Sequence, residues 1–311
     1  MKLLFFTVIL FTCNTISFTQ SNCDCYERLT ELAGLKSTEE KNDSALFYYQ
    51  QAFAFLPAES INYRHHVNLA RYFGKANQTD SAATHLIRAI QMGYSKEYMN
   101  YNANLKFLAD STIYKEAILQ AHHLTDATFN WEYYNAFQQL YGIDQIIRTQ
   151  RSFNVLGRDS VFYMVDSITF DKAMRLVKQY GYPQQSKHGF TDDVLSLILL
   201  HASVYGEKQY DQIVELMNEN MDNCLCLKGN LAVLKDRRLD WYYREKQLAG
   251  TWNYPGEFNP IEDLDMVDSI RFSHNLLNLA EFAKKSNRTL PKKYQPTPYP
   301  KNYFCQNKWK Q

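Results

Sequence analysis

The sequence predicts an all-α protein, on three observations. Chain breakers are scarce: 11 Gly and 8 Pro in 311 residues, with half the prolines (Pro291, Pro296, Pro298, Pro300) crowded into the last segment. An average chain carries about 7% Gly. Apolar residues recur at three- and four-residue spacing along most of the chain, which is the helical period. Finally, the longest apolar run after the first dozen residues, Val194 to Leu200, continues into His201, Ala202 and Ser203 without a Gly before Gly206.

That run defines the central helix. Thr191 can cap it, and Asp192 and Asp193 fall in the first turn, where the helix dipole favours anions. It is far shorter than the roughly 20 apolar residues a membrane span needs. Helical spacing puts Val194, Leu197, Ile198, His201 and Tyr205 on one face, so His201 points with apolar neighbours.

Charge excludes one class of partner. The 34 Lys+Arg balance 33 Asp+Glu for a net +1, and no basic stripe precedes the tail, so nothing marks a nucleic-acid surface.

The first nineteen residues have the layout of a cleaved export signal. Met1-Lys2 is a minimal positive start, Leu3 to Phe11 is apolar, and Ser17 and Thr19 supply small residues before a cut after Thr19. A lipoprotein signal ending at Cys13 is less well supported, because Thr12 is a poor residue before a lipidated cysteine. The expected address is periplasmic or extracellular, with no transmembrane segment after cleavage. An oxidising compartment makes disulfides among Cys23, Cys25, Cys224 and Cys226 the better reading of the two Cys-x-Cys pairs than a zinc site, with Cys305 left over. Spacing does not fix which cysteine joins which.

Residues 20–125 carry paired helices. In Ala45-x-x-x-Tyr49-x-x-Ala52, small residues allow close helix approach, an aromatic fills the gap, and Pro57 follows. Leu69-Ala70-x-x-Phe73 and Ala82-x-x-x-Leu86-x-x-Ala89 continue the pattern. This stretch resembles tetratricopeptide repeats, which implies helical hairpins and a protein or peptide partner. Leu105, Leu108, Tyr114, Ala117 and Ile118 extend helix through 97–124 without the repeat. His65-His66 and His122-His123, adjacent rather than one turn apart, read as surface or boundary residues.

Residues 126–290 form a second helical domain. Trp131, Tyr134, Phe137, Leu140 and Tyr141 are helically spaced and run into Asp144 and Arg148, an i, i+4 pair suited to an exposed face. A helix from Val161 to Tyr180 stops at Gly181-Tyr182-Pro183. Beyond the central helix come helices over 210–221 and around Leu231–Trp241. Gly250, Pro255, Gly256 and Pro260 make 246–261 irregular chain or a short hairpin. A last helix carries Arg271, Leu276, Leu277 and Leu279. Residues 291–311 are a Pro- and Lys-rich tail expected to pack poorly.

Asp144-Gln145-x-x-Arg148, Tyr180-Gly181-x-Pro183, Leu199-Leu200-His201-Ala202, Leu234-x-Asp236-Arg237, Gly250-Thr251 and Arg271 follow one another in a definite order. That order resembles the uncharacterised bacterial family called domain of unknown function 6624, which implies a fold but no reaction. In the family Tyr precedes and Gln follows the Gly-Thr pair; here Ala249 and Trp252 stand there.

No Gly-x-Ser-x-Gly elbow, phosphate-binding loop or His-Glu-x-x-His pair occurs, so the motifs imply no cofactor, metal or named chemistry. The candidate polar cluster is Asp144, Arg148, His201, Asp236, Arg237 and Arg271. One reading makes it a structural network, since a buried Arg needs a carboxylate or carbonyl partner. The other makes His201 a general base oriented by Asp236, with Arg237 or Arg271 holding an anion, in a ligand-binding or hydrolase-like site. Protein or peptide binding in the bacterial cell envelope is the leading expectation and an enzyme the lesser one.

Overall fold

The computed structural model describes residues 21–94, 112, 115–116, 129–149, 158–243, 245–251, 258–301 and 303–305. The expected signal segment, His122-His123 and most of the expected helix over 97–124 lie outside the described residues.

The fold is all-α. The helices are α1 (Asn22–Thr38), α2 (Asn42–Phe53), α3 (Tyr63–Lys75), α4 (Thr79–Gln91), α5 (Trp131–Thr149) and α6 (Arg158–Tyr180). They are followed by α7 (Gln185–His188), α8 (Thr191–Ala202), α9 (Glu207–Met221), α10 (Lys228–Arg238), α11 (Val267–Ser273) and α12 (Leu279–Ser286). Among the described residues no strand forms. The irregular stretch near 246–261 contributes a single parallel bridge between Gln247 and Ile261, not a hairpin. No helix among the described residues is long and apolar enough to cross a membrane.

Three-residue connections fold α1 onto α2 and α3 onto α4 as two hairpins. The small residues at their contacts are fully buried. Ala33, Ala45, Ala70, Ala82 and Ala89 have no exposed surface, and Tyr49 and Phe73 fill the space between helices. His65 and His66 are not surface residues. His66 is 2% exposed, its Nδ1 2.9 Å from Nδ1 of His85, and the Tyr26 hydroxyl lies 2.5 Å from Nδ1 of His65. Their positions on the inner face of α3 explain the difference: adjacency in sequence says nothing about which side of a helix meets its neighbour.

A second core fills the space between α5, α6, α8, α9 and α10. Tyr133, Phe137, Phe170, Leu195, Ile198, Ile213 and Leu234 are all nearly or fully buried in it. The central helix α8 follows Phe190 as its N-cap rather than Thr191, whose hydroxyl donates to the His188 carbonyl at 2.5 Å.

A polar knot joins the two groups of helices. Glu27 of α1 reaches the start of α10, where it accepts from the backbone N–H of Gly229 (2.7 Å) and Lys228 (3.2 Å). It thereby supplies an acceptor to the open N-terminal turn of a helix that has no side-chain cap of its own. Asn275 donates to Glu27 and Asp24 (2.8 Å each), and Lys228 pairs with Asp24 at 2.6 Å. Gly229 is required here, because a Cβ would come within 3.0 Å of both the Glu27 carboxylate and Leu276.

Two disulfides reinforce the knot. Cys23 joins Cys224 and Cys25 joins Cys305, with Cα–Cα distances of 5.2 and 5.7 Å. This corrects the expected cysteine set. Cys226 is reduced and buried, with its thiol pushed up to about 12 by burial, while Cys305 is bridged. The tail is also better packed than its composition suggests. The Tyr294 hydroxyl donates to Asp268 (2.8 Å), Tyr303 donates to the Leu276 carbonyl (2.8 Å), and Arg28 lies over the Tyr303 ring at 4.4 Å. Aromatics, not aliphatics, hold this segment down.

Replacing Glu27 by Ala should lower unfolding stability by about 3 kcal/mol, the value of several hydrogen bonds to a charged, buried group, and Glu27→Gln by less; urea unfolding at pH 7 measures both. Burial holds His66 down at about 3, against 6.5 for a free imidazole. The unfolded chain therefore takes up the proton first, and the stability tied to neutral His66 is complete above pH 6.5 and lost as pH falls towards 3. The stability of the wild type relative to His66→Gln should accordingly shrink between pH 7 and pH 4; a constant difference would contradict this.

Candidate functional site

The six predicted residues separate into two structures. Asp144, Arg148, His201 and Arg237 meet where α5, α6, α8 and α10 converge. Asp236 and Arg271 belong to a loop clamp elsewhere.

In the first, Asp144 is fully buried on α5 and Oδ1 lies 2.8 Å from Nδ1 of His201. Arg148, one turn along, donates to the same oxygen at 2.9 Å and to Oδ1 of Asp166 at 2.5 Å. Gln145 donates to the other Asp144 oxygen at 2.7 Å. The Asp144–Arg148 pair is thus not the exposed helix-surface pair that its spacing suggests: it is turned inward by Phe137, Leu140 and Ile147 on the same helix. Burial opposes ionisation of Asp144, but His201, Arg148 and Gln145 together hold its carboxyl below the usual carboxylate range. His201 is 8% exposed. Its Nε2 makes no hydrogen bond within the described residues and lies on the accessible side of the ring.

Asp166 was not anticipated. It is 1% exposed on α6, in helical register with Phe170, Ala173 and Val177, and a carboxylate on an otherwise core-facing stripe was the available signal. Arg238, also missed, positions the neighbouring turn: it donates to the Ser203 carbonyl at 2.6 Å and pairs with Glu207 at 2.8 Å. That fixes the chain beyond α8, including Tyr205. Arg237 is largely buried beside the cluster, over the Trp241 ring at 5.5 Å; burial first, and then the charge of Arg148, pull its guanidinium down to about 10.

Asp144, Asp166 and His201 offer donor atoms within 4.8 Å of one another, a set that could hold a metal ion. Arg148 already bridges the two carboxylates, and Arg237 adds a second positive charge. A divalent cation would have to displace one guanidinium beside another, so the donor set fits arginine better than metal.

Asp236 does not orient His201. It is fully buried and accepts from the backbone N–H of Leu248 (2.8 Å), Ala249 (3.0 Å) and Thr251 (2.8 Å) and from the Thr251 hydroxyl (2.8 Å). Arg271, 1% exposed, donates to the carbonyls of Ala249 (2.6 Å) and Leu277 (2.5 Å) and lies over the Phe282 ring. These two residues organise the irregular chain around Gly250-Thr251, and the proposed His201–Asp236 pairing fails because α10 turns Asp236 towards that loop.

A second feature lies on the opposite side of α8. There the half-buried stripe Asp193, Ser196, Leu197 and Leu200 faces a cleft of about 660 Å³, so Leu197 does not share the His201 face. Its other walls come from Tyr26, the 60–64 segment, 182–185, 223–227 and α10. Arg64 pairs with Asp193 at 3.0 Å and Gln185 donates to Asp192 at 2.7 Å. Burial, then the neighbouring Asp193, push the Asp192 carboxyl up to about 7.

Compared with known proteins, the chain matches no family model, no curated protein and no solved structure.

Asp236→Ala should leave three buried N–H groups and a hydroxyl without their acceptor, costing about 3 kcal/mol and opening the chain near residue 250 to limited proteolysis. His201→Gln should leave that segment resistant. Equal cleavage in both variants would contradict the separation of the two clusters.

Proposed function

We propose that this chain is an exported binding protein of the bacterial cell envelope, and that the cleft between its hairpins and α8–α10 receives a polypeptide segment bearing a Lys or Arg side chain. The observation that carries this is the cleft itself. It is the large concavity shared by both groups of helices, with apolar walls and a few convergent polar groups, the usual make-up of a binding site. Its charge selects the occupant. Two carboxylates, Asp192 and Asp193, face one cation, Arg64, which is already paired with Asp193. A bound ammonium or guanidinium would balance Asp192 and favour its ionised form.

Export rests on the signal-like first nineteen residues and on two disulfides, which persist in oxidising compartments. Kinship with tetratricopeptide repeats is supported by the buried small residues of the two hairpins. Kinship with domain of unknown function 6624 is supported by the ordered polar residues falling into two buried networks.

Selection of random peptides on the chain from Gln20 should enrich Lys and Arg. Binding should strengthen from pH 6 to pH 8, as Asp192 ionises through about 7, and weaken about tenfold or more in Asp192→Asn, the loss of one charge-assisted contact. Binders without a cation, or binding indifferent to Asp192, would refute the assignment. Sequencing of the secreted or periplasmic product should find Gln20 at its amino terminus; a chain acylated at Cys13 would replace that reading with the lipoprotein one.

A further inference from the structure

The Asp144–His201 network on the other face of α8 has an organisation that neither a sealed structural cluster nor the cleft explains. A purely structural histidine satisfies both ring nitrogens. His201 gives Nδ1 to Asp144 at 2.8 Å and leaves Nε2 unengaged on its accessible side. The carboxylate fixes the tautomer and the ring plane, so Nε2 is held in one direction. Around it the charges cancel. Asp144 and Asp166 carry two negative charges, Arg148 and Arg237 two positive ones, and Arg237 lies near enough to Arg148, Asp166 and Asp144 to sense their charges. A proton taken up at Nε2 would give the group a net positive charge with no carboxylate left to balance it.

The rim is aromatic. Tyr205, whose hydroxyl reaches Asp166, meets the Tyr163 ring at 5.4 Å, and Tyr163 is 49% exposed. Beyond α10 a π turn (Leu239–Tyr243) presents Trp241, 42% exposed, beneath the Arg237 guanidinium. Phe162 underlies Arg148 at 5.4 Å. Aromatic rings exposed beside buried guanidiniums make a surface that is apolar at its edge and cationic at its base.

We propose that His201 Nε2 and Arg237 form a binding site for an oxyanion, a sulfonate-, phosphate- or carboxylate-type group, carried on an aromatic or apolar body that rests against Trp241 and Tyr163. Asp144 and Arg148 are positioning residues in this site. The first holds the imidazole, and the second joins Asp144 to Asp166 and so keeps α5 and α6 in place. The site is independent of the cleft, so either can fail without the other.

Benzenesulfonate and inorganic sulfate are suitable probes, because neither titrates between pH 6 and pH 8 and any pH dependence belongs to the protein. Titration of the full chain, followed through the imidazole nitrogen resonances with His201→Gln to assign the His201 signal, should show a saturable shift at Nε2. Benzenesulfonate should bind several-fold more tightly than sulfate, and Trp241→Ala should erase that preference. Affinity should rise as pH falls from 8 to 6, with this dependence lost in His201→Gln. The charged and titratable groups facing Nε2 are Asp144, Arg148, Asp166, Tyr205 and Arg237, of which only the histidine itself is expected to change protonation in that range. Arg237→Met should weaken binding about tenfold or more; if it fails to fold, Arg237→Lys, which keeps the charge and loses the planar fork, should weaken it less but measurably. No shift of His201 with either probe would overturn the proposal, as would binding that survives both His201→Gln and the Arg237 replacement.

Discussion

The carboxylate of Glu27 at the start of α10 is the contact on which the architecture turns. It lies on the first helix, yet its hydrogen bonds are made to backbone more than two hundred residues away. A helix end that lacks its own cap must find acceptors elsewhere, and α10 finds them on α1. Everything that follows from the placement of α10 depends on that contact: the floor of the cleft, the Asp236 clamp on the loop, and the position of Arg237 beside His201. Asn275 and Lys228 complete the knot from two further directions, so α1 serves both as half of a hairpin and as a seat for the second group of helices.

From this seat the central helix α8 can be used on two sides. One side is the core face that ends in His201; the other is the stripe from Asp193 to Leu200 along the cleft. A long apolar run is what such a helix requires, because it meets protein over most of its circumference and only its polar positions distinguish the faces. The buried charges follow the same economy of partners. Asp144 meets Arg148 and His201, Arg148 also meets Asp166, and Asp236 meets backbone.

Helix content, the paired small residues of the hairpins and the centrality of the 194–200 run were legible, because each is a local pattern of spacing. Asp144, Arg148, His201 and Arg237 could be picked out as a group, but their wiring could not. Whether Asp144 or Asp236 meets His201 depends on the rotation of α5 and α10 about their axes, and a shift of one residue on a helix turns a side chain by about 100°. The disulfide partners were hidden for a similar reason. Cys305 lies in a segment whose composition suggests loose chain, and only the stacked rings of Phe272, Tyr299, Tyr303 and Phe304 bring it back to α1. His66 shows the reverse failure: a polar pair in sequence became a buried pair in space, because α3 presents that side to α4.

The two bridges also impose an order of events on a growing chain. Cys23 and Cys25 are made near the beginning, while their partners follow 201 and 280 residues later. Through almost the whole of synthesis these thiols have no native partner, and the first native cysteine to appear, Cys224, arrives two residues before Cys226, which offers the same chemistry with the wrong outcome. Burial of Cys226 against Tyr182 removes that competitor only once the second core has closed. Correct pairing is therefore decided by whether the helices around α8 assemble before the oxidant acts, which makes the buried thiol, rather than either bridge, the gatekeeper of covalent maturation.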